Sequence, residues 1–320
     1  MARSCAEPLA SRGQRGSARP VSRPFSGMVL AAGFGTRLRP LTDEVPKPLL
    51  PVGAQPLLVS TLEQLGRAGA ESLSINAHYL VSKIDSHIQS LPFKVQVFSE
   101  EKILGTAGGI RGALDSFRAP NVIVVNGDMY GPLPLDRLLE DQSDAEIVLL
   151  VRARTRGEGT VGLDAKGRVI RLRGEVFGSE QMGGDYLGVA RLTRSIVATF
   201  PGEGCLVGDV LLPALRRGAK LSSAALVDQG LTDIGDLKGY FEANLRWLEE
   251  TGRTSYVAPS VSLPRAIHLE QTILGDEVEV RGNGELRRVI ALPGAKLAAP
   301  LTDAIVTPRG RIVRRPESAR

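Results

Sequence analysis

Apolar positions along this chain change period several times, and each change marks an element. Met28–Ala32 is an unbroken apolar run, as expected for a strand buried on both faces, and it stops at Gly33 and Gly35. Between Pro56 and Ala70, Leu58, Leu62, Leu65 and Ala68 recur at helical spacing, with Gly69 placed to end the helix. Leu73–Asn76 reads as a short strand. Leu80, Ile84, His87 and Ile88 stripe a second helix, and Lys94–Ser99 alternates like a strand. Gly105 opens a helix predicted to run to about Phe117. Val122–Val125 is a β-branched run, hence a central strand; Leu135–Glu140 is a short helix and Ile147–Val151 another buried strand. Alternating strand and helix signals predict an α/β fold, a Rossmann-like, mostly parallel sheet sandwiched by helices.

From Gly159 onward the pattern loosens. Short strands are expected at Val161, Val169–Leu172 and Tyr186–Arg191, and helices near Ser195–Phe200 and Asp209–Arg216. Residues 236–250 form a clear amphipathic helix: Leu237, Tyr240, Phe241, Leu245 and Leu248 share a face, and Asp236 suits the N-cap. In 257–320, Val261, Ile267, Ile273, Val278, Val280, Leu286, Ile290 and Leu297 recur at roughly six-residue intervals between glycines and prolines. That spacing suits a degenerate left-handed hexapeptide β-helix, or else an irregular β-extension. The chain thus divides into a basic extension (1–24), a main domain (25–255) and a small C-terminal β module with a frayed tail (256–320).

Charge changes the picture less than its total suggests. The formal net charge of +5 owes much to residues 1–24, which hold Arg3, Arg12, Arg15, Arg19 and Arg23 against Glu7. Without them 35 basic and 34 acidic residues remain, so the folded part is nearly neutral. An aromatic share of 4% also argues against base stacking, and a nucleic-acid-binding reading loses most of its support. No stretch is long and apolar enough to span a membrane. Cys5 and Cys205, in unlike contexts, suggest neither a disulfide framework nor a zinc site, the pattern of a reducing cytosol. The Arg- and Ser-rich start fits an organellar targeting segment, a disordered extension or a start placed too far upstream.

Candidate chemistry gathers where strands end. Gly33-Phe34-Gly35-Thr36-Arg37 puts amides, a hydroxyl and a guanidinium past the first strand, and Lys47 follows between two prolines. Open α/β sheets bind ligands at such ends, and glycines with cations suit a phosphate-bearing anion. The loop is neither a dinucleotide fingerprint, since Leu38 replaces the third glycine, nor a Walker loop. Asn126-Gly127-Asp128 places a carboxylate at the end of the central strand.

The stretch Leu30-Ala31-Ala32-Gly33-Phe34-Gly35-Thr36-Arg37-Leu38-Arg39-Pro40-Leu41-Thr42, followed by Pro46-Lys47-Pro48-Leu49-Leu50-Pro51-Val52, closely resembles the signature of the sugar-1-phosphate nucleotidylyltransferases. The resemblance implies an enzyme that joins a nucleoside triphosphate to a sugar 1-phosphate and releases pyrophosphate. It implies Arg37, Lys47 and Asp128 as catalytic residues, and Leu30, Ala31, Ala32, Gly33, Gly35, Thr36 and Arg37 as nucleotide contacts. Gly105-Thr106-Ala107-Gly108 resembles the family's nucleobase loop, with Glu100 as the side chain on the base edge. Asp128, together with Asp233 of Thr232-Asp233-Ile234-Gly235, would bind Mg²⁺.

Gly162, Arg173 and Asp185 fall where the family binds the sugar phosphate. There the family's Glu-Lys-Pro lysine is missing, and Arg171-Leu172-Arg173-Gly174-Glu175 stands in its place. Asn76–Leu80 resembles the mannose and N-acetylmuramate members. Mannose 1-phosphate with GTP is the first expectation, with N-acetylmuramate 1-phosphate and UTP or heptose 1-phosphate and GTP as alternatives. A non-catalytic regulatory protein on the same fold is the reading of another class. The C-terminal module implies contacts between subunits, and neither nucleic acid nor membrane is an expected partner.

Overall fold

The computed structural model describes residues 23–141, 143–226 and 230–314. Most of the expected extension 1–24, and residues 315–320, lie outside them. In chain order the main domain runs β1 (Phe25–Leu30), α1 (Leu57–Arg67), β2 (Leu73–Ala77), α2 (Val81–Gln89), β3 (Gln96–Ser99), α3 (Gly105–Gly112), β4 (Asn121–Asn126), α4 (Leu135–Leu139), β5 (Ile147–Arg154), β6 (Val161–Leu163), β7 (Val169–Leu172), β8 (Met182–Thr193), β9 (Ser222–Leu226) and α5 (Leu237–Glu250), with short turns between.

Strand β1 lies between β2 and β4, parallel to both, with Met28 opposite Ser74 and Val124. β3 pairs with β2, also in parallel. The expected parallel arrangement therefore holds for the half of the sheet whose ends carry the motif. Beyond β4 the long strand β8 runs antiparallel to β4, β5 and β6, and β9 returns parallel to β5, so the whole sheet is mixed.

Both faces are covered, which is why the strands read as continuous apolar runs. Val122, Val124, Leu149 and Val151 point to one face, with Ile110, Phe200 and Leu211. Ile123, Val125, Val148 and Leu150 point to the other, with Leu58, Leu62, Ile84 and Leu138. Helix α3 ends at Gly112, short of the expected Phe117, and one 3-10 turn at Leu114–Ser116 follows. Four of its residues are glycine, which lowers helix propensity, and Phe98 packs where a Gly112 side chain would stand. The helices expected after β8 are likewise short, Arg194–Val197 and Leu212–Arg216, the second entered through a wide turn at Leu206–Leu211.

Residues 256–314 form a separate six-stranded sheet, compatible with a β-helix-like module. Tyr256 lies beside Ile273, and Ile273 beside Ile290, in parallel. One coil is thus close to three of the six-residue steps seen in the sequence. Ile290, Leu292 and Ile305 share a buried cluster with Tyr240 and Phe241 of α5 and with Leu38, Leu41, Leu50 and Val52 of the motif segment. Asp236 caps α5, its carboxylate accepting from Gly239 N at 2.8 Å, as expected.

The motif segment is clamped onto α5. Tyr240 Oη donates to Pro51 O at 2.6 Å, and Gly53 N donates to the buried Asn244 Oδ1 at 2.9 Å. Gly53 has φ +64 and lies under the Trp247 ring, which a methyl group there would overlap. Gly53→Ala should therefore cost about 2 kcal/mol or more in urea denaturation, combining left-handed strain with overpacking. An unchanged midpoint would mean that Trp247 swings aside freely.

Candidate active site

The chain passes from Leu30 through Ala31 and Ala32 into the glycine turn. Gly35 has φ +63, and a methyl group there would come within 2.8 Å of Thr42 Cγ2 and 3.0 Å of Lys47 Cβ. Both the conformation and the close approach require glycine. Thr42 Oγ1 donates to Gly35 O at 2.9 Å, closing the turn. The two parts of the signature, separated by only Asp43, Glu44 and Val45, are therefore folded against each other at Gly35.

From the second part Lys47 reaches across to the end of β4. Its Nζ donates to Asp128 Oδ2 at 2.6 Å, with both side chains largely buried. Gly127 N donates to Leu30 O at 2.9 Å, so the β1 and β4 ends abut. Ile234 N donates to Asp128 O at 2.8 Å, and Asp233 pairs with Met129 across a short antiparallel ladder. That ladder brings Asp233 beside Asp128. Burial raises the Asp233 carboxyl above its ordinary value, the Asp128 carboxylate adds to the rise, and Lys47 and Arg37 offset part of it. The Arg37 guanidinium lies over Gly235, where a methyl group would be 2.9 Å from Nη1.

Whether a hard cation fits is tested by the oxygens. Asp128 Oδ1 is buried with no hydrogen-bond partner, and a second carboxylate stands next to it. Two like charges side by side with an unsatisfied oxygen suit a small divalent cation completed by phosphate oxygens and water. Among the described residues no three His, Cys, Asp or Glu side chains gather as a self-sufficient metal cage.

The other wall holds Glu100, which is buried. Its Oε1 accepts from Asn76 Nδ2 at 2.7 Å and its Oε2 from Leu104 N at 2.9 Å, while Asn76 Oδ1 accepts from Ala31 N at 2.8 Å. Asn76 thus ties the glycine loop to Glu100. In the sequence it ends a short strand and opens the stretch Asn76–Leu80 that resembles the mannose and N-acetylmuramate members. Gly105 has φ +74 and packs against Gly204 O. Thr106 Oγ1 accepts from Leu206 N at 2.7 Å.

Leu30, Ala31, Ala32, Gly33, Lys47, Glu100, Gly105, Thr106 and Asp128 line one cavity, joined by Asn76, Ile103, Asn126 and Gly127. Nine residues expected from widely separated stretches therefore meet. Gly35, Thr36, Arg37 and Asp233 stand outside that lining, the last two beside its Asp128 end.

Gly162, Arg173 and Asp185 do not line it either. Gly162 is opposite Arg171 and Gly183 in the sheet, and a methyl group there would meet the Glu180 carboxylate at 2.6 Å. Asp185 pairs with Arg154 at 2.7 Å. Of the two arginines in the stretch lacking the family lysine, Arg171 is spent on Glu180 and on the carbonyls of Glu158, Gly159 and Val161. Arg173, at φ 49, lies with Nη2 at 3.5 Å from Cys205 Sγ.

Residues 26–173 match the family model described as nucleotidyl transferase. The mannose-1-phosphate guanylyltransferase of Mycobacterium tuberculosis is 27% identical over 269 residues, covering 81% of this chain and 70% of that protein. The D-glycero-alpha-D-manno-heptose 1-phosphate guanylyltransferase of Campylobacter jejuni is 27% identical over 221 residues, covering 68% and 97%. The N-acetylmuramate alpha-1-phosphate uridylyltransferase of Caulobacter vibrioides is 38% identical over a shorter 111 residues, covering 33% and 46%. HddC from Yersinia pseudotuberculosis, also solved in complex with GMP-PN, shares the fold at a TM-score of 0.58 and 24% identity, over 69% of this chain and 99% of that one. By the matched model, these relatives and the paired halves of its signature, residues 26–173 carry a nucleotidyl transferase domain, and the chain is similar to sugar-1-phosphate nucleotidyltransferases.

Proposed function

We propose that the protein transfers a nucleotidyl group from a nucleoside triphosphate to a sugar 1-phosphate, releasing pyrophosphate, with GTP and mannose 1-phosphate as first choice. The observation that carries the reading is the Lys47–Asp128 pair, with its partnerless Asp128 oxygen and neighbouring Asp233, at one end of a cavity whose other wall is Glu100. A sugar-phosphate oxygen attacks the α-phosphorus and the pyrophosphate oxygen leaves. Such chemistry needs positioning and charge neutralisation rather than a protein nucleophile.

Gly33, Gly35 and Thr36 offer the turn that receives the triphosphate. Arg37 holds the β- and γ-phosphates and the leaving pyrophosphate. Lys47 neutralises the crowded oxygens around the α-phosphorus. Asp128 and Asp233 are the residues that would hold Mg²⁺, which when bound supplies positive charge against phosphate oxygens. Arg173, just past β7, is the cation available toward the sugar phosphate, with Gly162 on β6 and Asp185 on β8. The catalytic unit is 25–255, with 256–320 as its C-terminal module.

The preference for guanine follows from Glu100. An ionised carboxylate only accepts hydrogen bonds. Guanine offers two adjacent donors, N1–H and the exocyclic amine, whereas uracil offers one N–H between two carbonyls that a carboxylate repels. Two of the relatives described above are named as guanylyltransferases, in accord with this preference. The sugar is less constrained, and heptose 1-phosphate with GTP is the second choice.

A pyrophosphate-release panel of four nucleoside triphosphates against several sugar 1-phosphates tests the reading. The highest turnover is expected with GTP and a manno-configured sugar phosphate, and no turnover with any pair would sink it. Arg37→Ala should raise the KM for the nucleotide and lower kcat. Lys47→Ala should chiefly lower kcat, as for a contact made mainly in the transition state. Calorimetric titration with the triphosphate separates the two, and the opposite pattern would reverse the roles.

The raised Asp233 carboxyl gives a signed expectation. The folded chain holds that proton more tightly than the unfolded chain, so the resulting stability is full at low pH and lost as pH rises through the raised value. At neutral pH without divalent cations, Asp233→Asn should thus melt no lower than the parent. The same variant should lose most of the rise in Tm that Mg²⁺ with nucleotide gives the parent. A markedly lower Tm without cations would contradict the like-charge account.

A further inference from the structure

Glu44 is a carboxylate only 4% exposed, in the segment between the two parts of the signature, and the reaction as proposed leaves it without a role. A buried carboxylate is costly unless it is hydrogen-bonded and paired. Its partners come from the far end of the chain. Thr307 Oγ1, itself fully buried, donates to Glu44 Oε1 at 2.9 Å, and Arg309 N donates to Oε2 at 2.9 Å. Arg311 Nε lies 3.6 Å from Oε1. All three donors sit on the tight turn that links Lys296–Val306 to Ile312–Arg314 in the C-terminal module. The backbone of Glu44 is held as well, since Lys83 Nζ of α2 donates to Glu44 O at 2.6 Å.

From Glu44 to Lys47 the path is short and stiff. Val45 packs against the cluster that contains Ile290, Leu292 and Ile305. Pro46 fixes its own φ at −57°, and Lys47 opens a 3-10 turn whose Lys47 O accepts from Leu50 N at 3.1 Å. Lys47 itself rests against Gly35. A shift at Glu44 therefore has few torsions in which to be absorbed before it reaches the ammonium.

We infer that Glu44 is a positioning residue through which the Thr307–Arg311 turn of the C-terminal module holds the loop that presents Lys47. The C-terminal module is then part of the catalytic apparatus, not an appendage. The kinetic consequence rests on the role proposed above for Lys47, whereas the structural brace does not.

The test uses Glu44→Ala and, as a milder change should that variant not fold, Thr307→Val. Each should lower kcat by about tenfold or more with the nucleotide KM changed by no more than about twofold, since small misplacements of a catalytic group cost turnover rather than uniform binding. In the Lys47→Ala background neither change should lower kcat further, because the pathway ends at that ammonium. A merely structural staple would cost the same proportion in both backgrounds, and that result would overturn the inference. A second readout needs no activity. Lys47 is 14% exposed and paired, so acetic anhydride should label it several-fold faster, relative to the exposed Lys94, once the brace is removed. Unchanged labelling of Lys47 in both variants would also overturn it. If the parent turns over no triphosphate with any sugar phosphate, the reaction reading fails by itself, and the labelling then decides the brace.

Discussion

The ion pair between Lys47 and Asp128 closes one end of the site. It links a loop rich in prolines and glycines to the end of the central strand, and it does so with most of both side chains removed from water. Removing either partner would leave a largely buried charge without its counter-ion at the cavity wall. Around this pair the chain adds two more charges: Asp233 beside the like-charged Asp128, and Arg37 beside Asp233 over Gly235. The site is thus two adjacent carboxylates flanked by two cations, with one carboxylate oxygen left over.

Several glycines are dictated by long charged side chains and not by turn geometry alone. Gly35 makes room for the Lys47 stem, Gly235 for the Arg37 guanidinium, and Gly162 for the Arg171–Glu180 pair. Each is a place where a long charged side chain crosses another segment closely. The same reasoning explains why Glu100 is acceptable inside. Asn76 and the Leu104 amide each donate to one of its oxygens, while the residue still lines the cavity.

Much of the architecture was legible along the chain. Continuous apolar runs located β1, β4 and β5, helical spacing located α1, α2 and α5, and Asp236 marked the start of α5. A strand buried on both faces and a helix with one buried face leave periodic signatures that need no knowledge of partners. The roughly six-residue spacing after residue 257 likewise became parallel coils in the structure. The signature motif carried the family, and most of its implied nucleotide residues line one cavity.

What the sequence could not contain was the pairing of distant groups. Lys47 with Asp128, Asn76 with Glu100 and Glu44 with Thr307 join residues 81, 24 and 263 positions apart. Nothing local in Glu44, flanked by Asp43 and Val45, distinguishes a buried carboxylate from a solvated one. The same holds for Arg171 and Arg173, two residues apart: one is consumed by Glu180 and three carbonyls, the other lies by Cys205. Periodicity reports which face of an element is apolar, a property of neighbours along the chain. The partner of a charge depends on which strand ends and turns tertiary packing brings together, and only the folded arrangement decides that.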